Sequence, residues 1–521
     1  MKSLEVSYPG LALVILTPIL SSFVYGVDIG LTSFVVSMLR DPNNEDADAW
    51  WGSMASDHVG QGIFLSSMSL GALIGSHTLL VYLAHFISRR TEIRIALCLF
   101  FIGNIFNFSS GTILQRCPKW IGFSCLLLGR LLFGFGVGFV QHSSCIYMSE
   151  MCPANIRGTV VASKEASIVF GIIAGYTIGD ILSENPLEWA NLYLSSVFLT
   201  IPLLAMSSIM PRSSRWLLAN GEVNEAKQSL QFIYKEDVQE IFDFLQKEVT
   251  KTINCPGKQR KKSNSFFKIY LVSPKAITAS VGLVVLQQFS GQPSLISYVT
   301  ILFTSVGLSG DFSVWTAILM AFAALFTVCM VDRLGRKILL KTGCFLMFAS
   351  LVALSLSFRN FQANETDPSP YFPPSQQVVV VLSLLIYIAS YQLCFGPLTW
   401  LIVSEVFPVD IRGEATAFLV ELNYCLNFLV QFLVPCVQVN IGWSTTFSFF
   451  AFISLFALFF INSYVPETKG LTLEDIEKDL QEKSVKSRSE SEKSLLRMRV
   501  RSFDSFKTFE HIDNISSALC P

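Results

Sequence analysis

Ser149-Glu150-Met151-Cys152-Pro153-Ala154-Asn155-Ile156-Arg157-Gly158 recurs 255 residues later as Ser404-Glu405-Val406-Phe407-Pro408-Val409-Asp410-Ile411-Arg412-Gly413. Six of the ten positions match, and each copy stands between two apolar runs. Pro211, ahead of a long polar segment, and Pro466, ahead of the polar tail, keep the same offset. A weaker echo sets Ser88-Arg89-Arg90 against Gly335-Arg336-Lys337. The chain therefore reads as two equivalent halves.

Outward from these repeats the sequence is apolar. Of 521 residues 51% are hydrophobic and 15% charged, against about 25% charged in an ordinary soluble domain, and the mean hydropathy is +0.51. A hydrocarbon core of ~30 Å takes ~20 apolar residues of helix to cross, and helix is the form that satisfies backbone polar groups internally in lipid. Twelve runs qualify: 11–38, 59–84, 93–115, 120–147, 158–182, 189–210, 274–303, 312–331, 338–357, 376–403, 413–439 and 443–464. The expected fold is an all-α membrane protein with twelve transmembrane helices in two pseudo-symmetric six-helix bundles. The expected divisions are 1–210, a cytoplasmic linker with short helices at 211–273, 274–465, and a largely disordered cytoplasmic tail at 466–521.

Basic residues concentrate after spans 2, 4, 6, 8 and 10, which places those loops and both termini in the cytoplasm by the positive-inside rule; Arg116 and Lys119 are exceptions. A net charge of -1 speaks against a nucleic-acid partner, whose phosphates need a basic surface. The 12 cysteines are scattered without metal-ligand spacing. No nucleophile–base or metal constellation appears, so neither an enzyme nor a cofactor is expected. Gly134, Gly136 and Gly138 lie inside span 4, where small residues permit close helix packing, so a nucleotide loop is not the reading. Of three glycosylation sequons, Asn364 alone falls in an outer loop.

Several motifs resemble those of the sugar porters of the major facilitator superfamily, over nearly the whole length up to about residue 476. They are Gly129-Arg130 with the span-4 glycines, Pro211-Arg212-Ser213-Ser214-Arg215-Trp216, Gln287-Gln288-Phe289-Ser290-Gly291-Gln292-Pro293, Asp332-Arg333-Leu334-Gly335-Arg336, Gly396-Pro397-Leu398-Thr399-Trp400 and Pro466-Glu467-Thr468-Lys469-Gly470. The Gln-Gln-x-Ser-Gly-Gln-Pro form is similar to the third class of facilitative glucose transporters. Three departures stand out: His85-Phe86-Ile87-Ser88-Arg89-Arg90 in place of Asp-x-x-Gly-Arg-Arg, Thr399 in place of proline, and Glu165 in place of a span-5 glutamine.

The resemblance implies a hexose or related polyhydroxy solute carried by alternating access, with the site between the halves. A sugar presents hydroxyls that donate and accept around apolar faces, and amides with an aromatic plate answer that chemistry. Gln287, Gln288, Trp400, Asn423 and Asn427 match sugar-contacting positions by resemblance; Gln292, Ser294 and Glu165 join them as candidates. The alternative for each amide is a helix-to-helix tie. Glu165 and Lys164, being adjacent on a helix, need not pair. Asp28 inside span 1 is the sharpest feature, because a carboxylate at that depth is costly. Arg130 is its natural partner, and the pair is the candidate proton-coupling element, with a static ion pair as the alternative. Glu150, Arg157, Asp332, Arg333, Arg336, Glu405 and Arg412 form the candidate cytoplasmic gate, expected to bridge the halves when the inner side closes. The expected partners are a sugar, H+ and the bilayer. Passive uniport of a hexose, polyol or dehydroascorbate, and a transporter-like sugar sensor, remain the alternatives. The plasma membrane is the expected location, an endomembrane the alternative.

Overall fold

The computed structural model describes residues 7–40, 50–51, 57–79, 83, 87–152, 157–182, 188–234, 238–239, 241–243, 245–246, 274–305, 311–359, 373–407 and 409–469. His85, Asn364 and the tail beyond 469 lie outside the described residues. So do the side chains of Arg157, Asp332 and Arg412.

Six helices make the first half: span 1 Tyr8–Arg40, span 2 His58–Thr78, span 3 Arg89–Gly111, span 4 Lys119–Met151, span 5 Arg157–Leu182 and span 6 Asn191–Ile209. In the second half, span 8 is Asp311–Leu334 and span 9 Arg336–Arg359. Span 7 is cut into Pro274–Phe289 and Gln292–Ser305, and span 10 into Pro374–Leu393 and Phe395–Val406. Both had been expected as unbroken helices. Gly291, at a φ of 90°, makes the first break; Cys394, between the two pieces, makes the second. Spans 11 and 12 run together as Val409–Tyr464, 56 residues long. A straight helix of that length would measure about 84 Å, far more than a bilayer core. The chain turns instead at Gly442, whose φ of 78° and ψ of 165° are not helical. Ten continuous helical stretches among the described residues are long and apolar enough to cross a membrane. The difference from twelve comes from the joined spans 11 and 12 and the divided span 7, and the architecture is that of an all-α membrane protein.

Glycines set how closely the helices approach. Gly26 and Gly30 of span 1 face Gly171 and Gly175 of span 5, each four residues apart on its helix. A Cβ added at Gly26 would lie 2.1 Å from the Ile168 carbonyl oxygen, and one at Gly171 would lie 2.2 Å from that of Phe23. Spans 2 and 4 repeat the device with Gly71 and Gly75 against Gly134 and Gly138. In lipid, helix association rests on such close backbone packing, since tails are as apolar as leucine. The span-4 glycines are thus packing residues, as their position in an apolar run implies.

The second half echoes the first: span 7 packs on the span 11–12 helix, spans 8 and 9 pack on span 10, and span 9 packs on the span 11–12 helix. The halves meet through span 1 with span 7, span 5 with span 8, and span 2 with span 11. Short helices follow span 6 at Ser214–Ala219 and Val223–Ile233, the latter including the stretch expected from Glu225. Ser213 caps the first by accepting from the Trp216 amide.

Gly171→Leu should lower the thermal unfolding midpoint of the purified protein in detergent, at a cost of about 1–3 kcal/mol or more from overpacking. Phe322→Leu, at an exposed position on span 8, should leave the midpoint nearly unchanged.

Candidate functional site

Asp28 lies 20 residues into span 1, completely buried. Gly26 and Gly30 flank it at two residues on either side. Successive residues turn by ~100°, so the glycines face span 5 while Asp28 points the other way. There its Oδ2 accepts from Arg130 Nη1 at 2.6 Å. The guanidinium of Arg130, 1% exposed, sits 5.2 Å from the Phe64 ring centroid, and its Nη2 lies 3.8 Å from Met68 Sδ. Tyr25 and Tyr193 are within electrostatic range of the pair. Asp28 Oδ1 and Arg130 Nε receive no hydrogen-bond partner from the protein. The pair is thus fully buried and only partly satisfied by the protein.

The amides assemble on span 7 and span 11. Gln288 donates from Nε2 to Asn423 Oδ1 and accepts at Oε1 from Asn427 Nδ2 at 3.1 Å. Asn427 Oδ1 in turn accepts from Gln431 at 2.8 Å and from Ser69 Oγ of span 2. Asn423, Asn427 and Gln431 occur every fourth residue, so one face of span 11 carries all three. Ser69 draws the first half into the row. Gln431 and Ser69 are absent from the sequence reading, although the four-residue spacing points to Gln431.

Gln287 has two different ends. Its Nε2 donates to Tyr391 Oη and to the Phe395 carbonyl, both at 3.1 Å, so it ties span 7 to span 10 beside the break. Its Oε1 is buried and accepts no hydrogen bond. Gln292 is half-buried at the first position after the span-7 break. Ser294 is buried and donates to the Val430 carbonyl at 3.4 Å, a tie between spans 7 and 11. Trp400 is half-buried and packs against the main hydrophobic core, to which both halves contribute. Glu165 does pair with its neighbour: Lys164 Nζ reaches its Oε1 at 3.2 Å. The long lysine stem spans the angle between adjacent positions. The Glu165 side chain is 43% exposed and lies within electrostatic range of Tyr25, Tyr391 and Tyr424, residues of both halves. It therefore borders the space between them.

The inner charges divide by half. Arg336 Nη2 bonds Glu405 Oε1 at 3.1 Å, and Thr468 Oγ1 donates to Glu405 Oε2 at 2.6 Å. Glu467 accepts from the backbone amides of Arg336 and Lys337 at 3.0 and 2.9 Å. Arg333 is exposed, and its carbonyl accepts from Lys469 at 2.7 Å. In the first half Glu150 accepts from Ser213 Oγ, and the buried Glu92, passed over in the sequence, takes Arg89 at 2.7 Å and His142 at 3.3 Å. Among the described residues these bonds join elements of one half; the bridge across the halves is the arrangement expected once the inner side closes. Crossing bonds lie elsewhere: Ser33 to Thr300 at 2.9 Å, Tyr176 Oη to the Ile296 carbonyl at 3.0 Å, Ser69 to Asn427, and His77 to Glu421 at 3.3 Å.

Two packed halves, discontinuous helices and a buried polar seam between them define a polytopic solute carrier. Residues 14–480 match the family model described as Sugar (and other) transporter, and the chain belongs to that family. It is 32% identical over 489 residues to the D-xylose-proton symporter-like 3, chloroplastic, of Arabidopsis thaliana, covering 90% of this chain and 82% of the relative. It is 24% identical to the solute carrier family 2, facilitated glucose transporter member 10 of Xenopus tropicalis, covering 94% and 96%. Among solved structures, the inward-open xylose transporter XylE from E. coli superposes with a TM-score of 0.72 at 23% identity, over 90% of this chain and 99% of that one.

Arg130→Met should destabilise the protein in detergent by about 3–5 kcal/mol, the cost of leaving a buried charge unpaired. Adding Asp28→Asn to that variant should recover part of the loss. An equal or larger loss in the double variant would contradict the pairing as the origin.

Proposed function

We propose that this chain carries a hexose or a closely related monosaccharide across the membrane by alternating access, together with H+. The observation that carries the proton is the Asp28–Arg130 pair, fully buried, with one carboxylate oxygen left open. Protonating Asp28 cancels one charge of the pair, and a carboxylate this deep in a membrane protein has function as its default reading. A relative at 32% identity is named as a xylose-proton symporter-like protein, which supports the same direction. The facilitated glucose transporter named among the relatives keeps passive uniport as the second reading.

For the sugar, the donors and acceptors are the amide row. Gln288, Asn423 and Asn427 satisfy one another in the described state and exchange those bonds for sugar hydroxyls on binding. Gln287 offers Oε1 to a hydroxyl while its amide nitrogen holds the span-10 break. Trp400 supplies an apolar face, and Gln292 lies beside the row. Glu165 accepts a hydrogen bond from a sugar hydroxyl at the edge of the site. Ser294 serves as a tie between helices. The Glu150 and Glu405 clusters, with Arg157, Asp332, Arg333, Arg336 and Arg412, keep the inner end of each half rigid and set its inner surface. The termini and the 211–273 linker are cytoplasmic, and the plasma membrane is the proposed location.

In proteoliposomes, an inward proton gradient should raise the initial rate of glucose or xylose uptake several-fold for the wild type and leave Asp28→Asn unresponsive. Uptake by the wild type that ignores the gradient would establish uniport. Gln288→Ala should weaken sugar binding by about tenfold, or about 1.4 kcal/mol, read by isothermal titration in detergent, with the unfolding midpoint little changed.

A further inference from the structure

Lys164 is buried inside the membrane domain, 4% exposed, and it faces two groups. Its Nζ lies 3.4 Å from Cys145 Sγ on span 4 and 3.2 Å from Glu165 Oε1. Cys145 is half-buried, and Glu165, 43% exposed, borders the space between the halves. An ammonium aimed at a sulfur stabilises negative charge as it develops there, the setting of reactive rather than inert cysteines. Cys125, on the same span and also half-buried, has only the Phe106 carbonyl as its described partner, at 3.4 Å.

We propose that Cys145 and Lys164 form an oxidant-sensitive modification site whose co-reactant is a small hydroperoxide. In the first step the Cys145 thiolate attacks one peroxide oxygen. An S–O bond forms and the O–O bond breaks. Sulfur is oxidised by two electrons, the peroxide is reduced, and with the thiol proton the leaving oxygen departs as water from hydrogen peroxide or as an alcohol from an alkyl hydroperoxide. In the second step Lys164 passes a proton to Glu165, and its neutral nitrogen attacks the sulfenic sulfur. An S–N bond forms, the S–O bond breaks, and hydroxide leaves with the remaining nitrogen proton as water, without further change in oxidation level. The product links span 4 to span 5 and removes the cation that faces Glu165. A thiol reductant cleaves the S–N bond and restores both side chains. Cysteine sulfenic acids condense with thiols and with nitrogen in this reversible manner.

The test is peptide mass mapping of the purified, full-length protein after brief exposure to hydrogen peroxide. This readout does not depend on which solute is carried. The expected result is a peptide pair joined through Cys145 and Lys164, lighter by two hydrogens than the sum of the free peptides. It should vanish with dithiothreitol, with Cys145→Ser and with Lys164→Arg. A sulfenic-acid trap should label Cys145 about tenfold faster than Cys125, and Lys164→Arg, which keeps the cation, should preserve that labelling. Equal labelling of Cys145 and Cys125 would overturn the assignment of a reactive site, and labelling without the linked peptide would overturn the capture by Lys164.

Discussion

Backbone carbonyls and amides that find no partner in hydrocarbon cost several kcal/mol each, and this constraint decides where the helices are whole and where they break. Most of the chain obeys it with uninterrupted helix. Spans 7 and 10 are interrupted at membrane depth, and side chains from across the bundle bond backbone carbonyls beside the breaks. Tyr387 Oη donates to the Ser290 carbonyl at 3.0 Å beside the span-7 break. Gln287 donates to the Phe395 carbonyl, and Thr327 to the Gln392 carbonyl at 3.1 Å, on either side of the span-10 break. Side chains of each span reach backbone beside the other's break, so spans 7 and 10 are coupled through the residues that border the candidate site. Gln287 is at once a structural donor and an unused acceptor.

The same constraint explains what could be read from the sequence. Twelve crossings and two halves were legible because length, hydropathy and the Ser149 and Ser404 repeats each carry a separate signal. The row Asn423, Asn427 and Gln431 was legible in part, since helical spacing alone puts those residues on one face. The breaks were legible only in part. Pro293 and Pro397 lack the N–H that would bond the carbonyls of Phe289 and Leu393, where the first pieces end, but a proline alone can kink a span without dividing it. Whether the helix breaks there depends on partners such as Tyr387 and Thr327, which come from elsewhere in the chain. The pairing of Lys164 with Glu165 stayed open in the sequence for a related reason: a rule about backbone angles does not bound the reach of a four-carbon side chain.

The gate charges show how strength is distributed between the halves. Within each half, carboxylates are held by charged or multiple partners: Glu92 by Arg89 and His142, Glu405 by Arg336 and Thr468, Asp28 by Arg130. Hydrogen bonds to charged groups contribute about 1.5–3 kcal/mol each, and neutral ones about 0.5–1.5. The bonds that cross from half to half are mainly of the second kind, from Ser33 to Thr300, Tyr176 to Ile296 and Ser69 to Asn427. His77 with Glu421 is exposed to 58% and 26% and, being at the surface, holds little. Glycine-to-glycine contacts follow the same division, for the pairs of spans 1 with 5 and 2 with 4 lie inside one half.

Rocking requires bodies that stay rigid and a seam that opens at low cost. Among the described residues the halves are knit by buried charge and by close backbone contact, and the seam by neutral bonds, apolar faces and the close approach of Gly62 to the Phe432 carbonyl. The amide row lies at that seam because Ser69 joins it from the opposite half. Under the proposed function, a solute whose hydroxyls replace the bonds among Gln288, Asn423, Asn427 and Ser69 acts on a joint between the halves. Differential contact of this kind is what lets a ligand shift a two-state equilibrium. Under the proposed function, the polarity of the site and the opening of the seam draw on the same side chains.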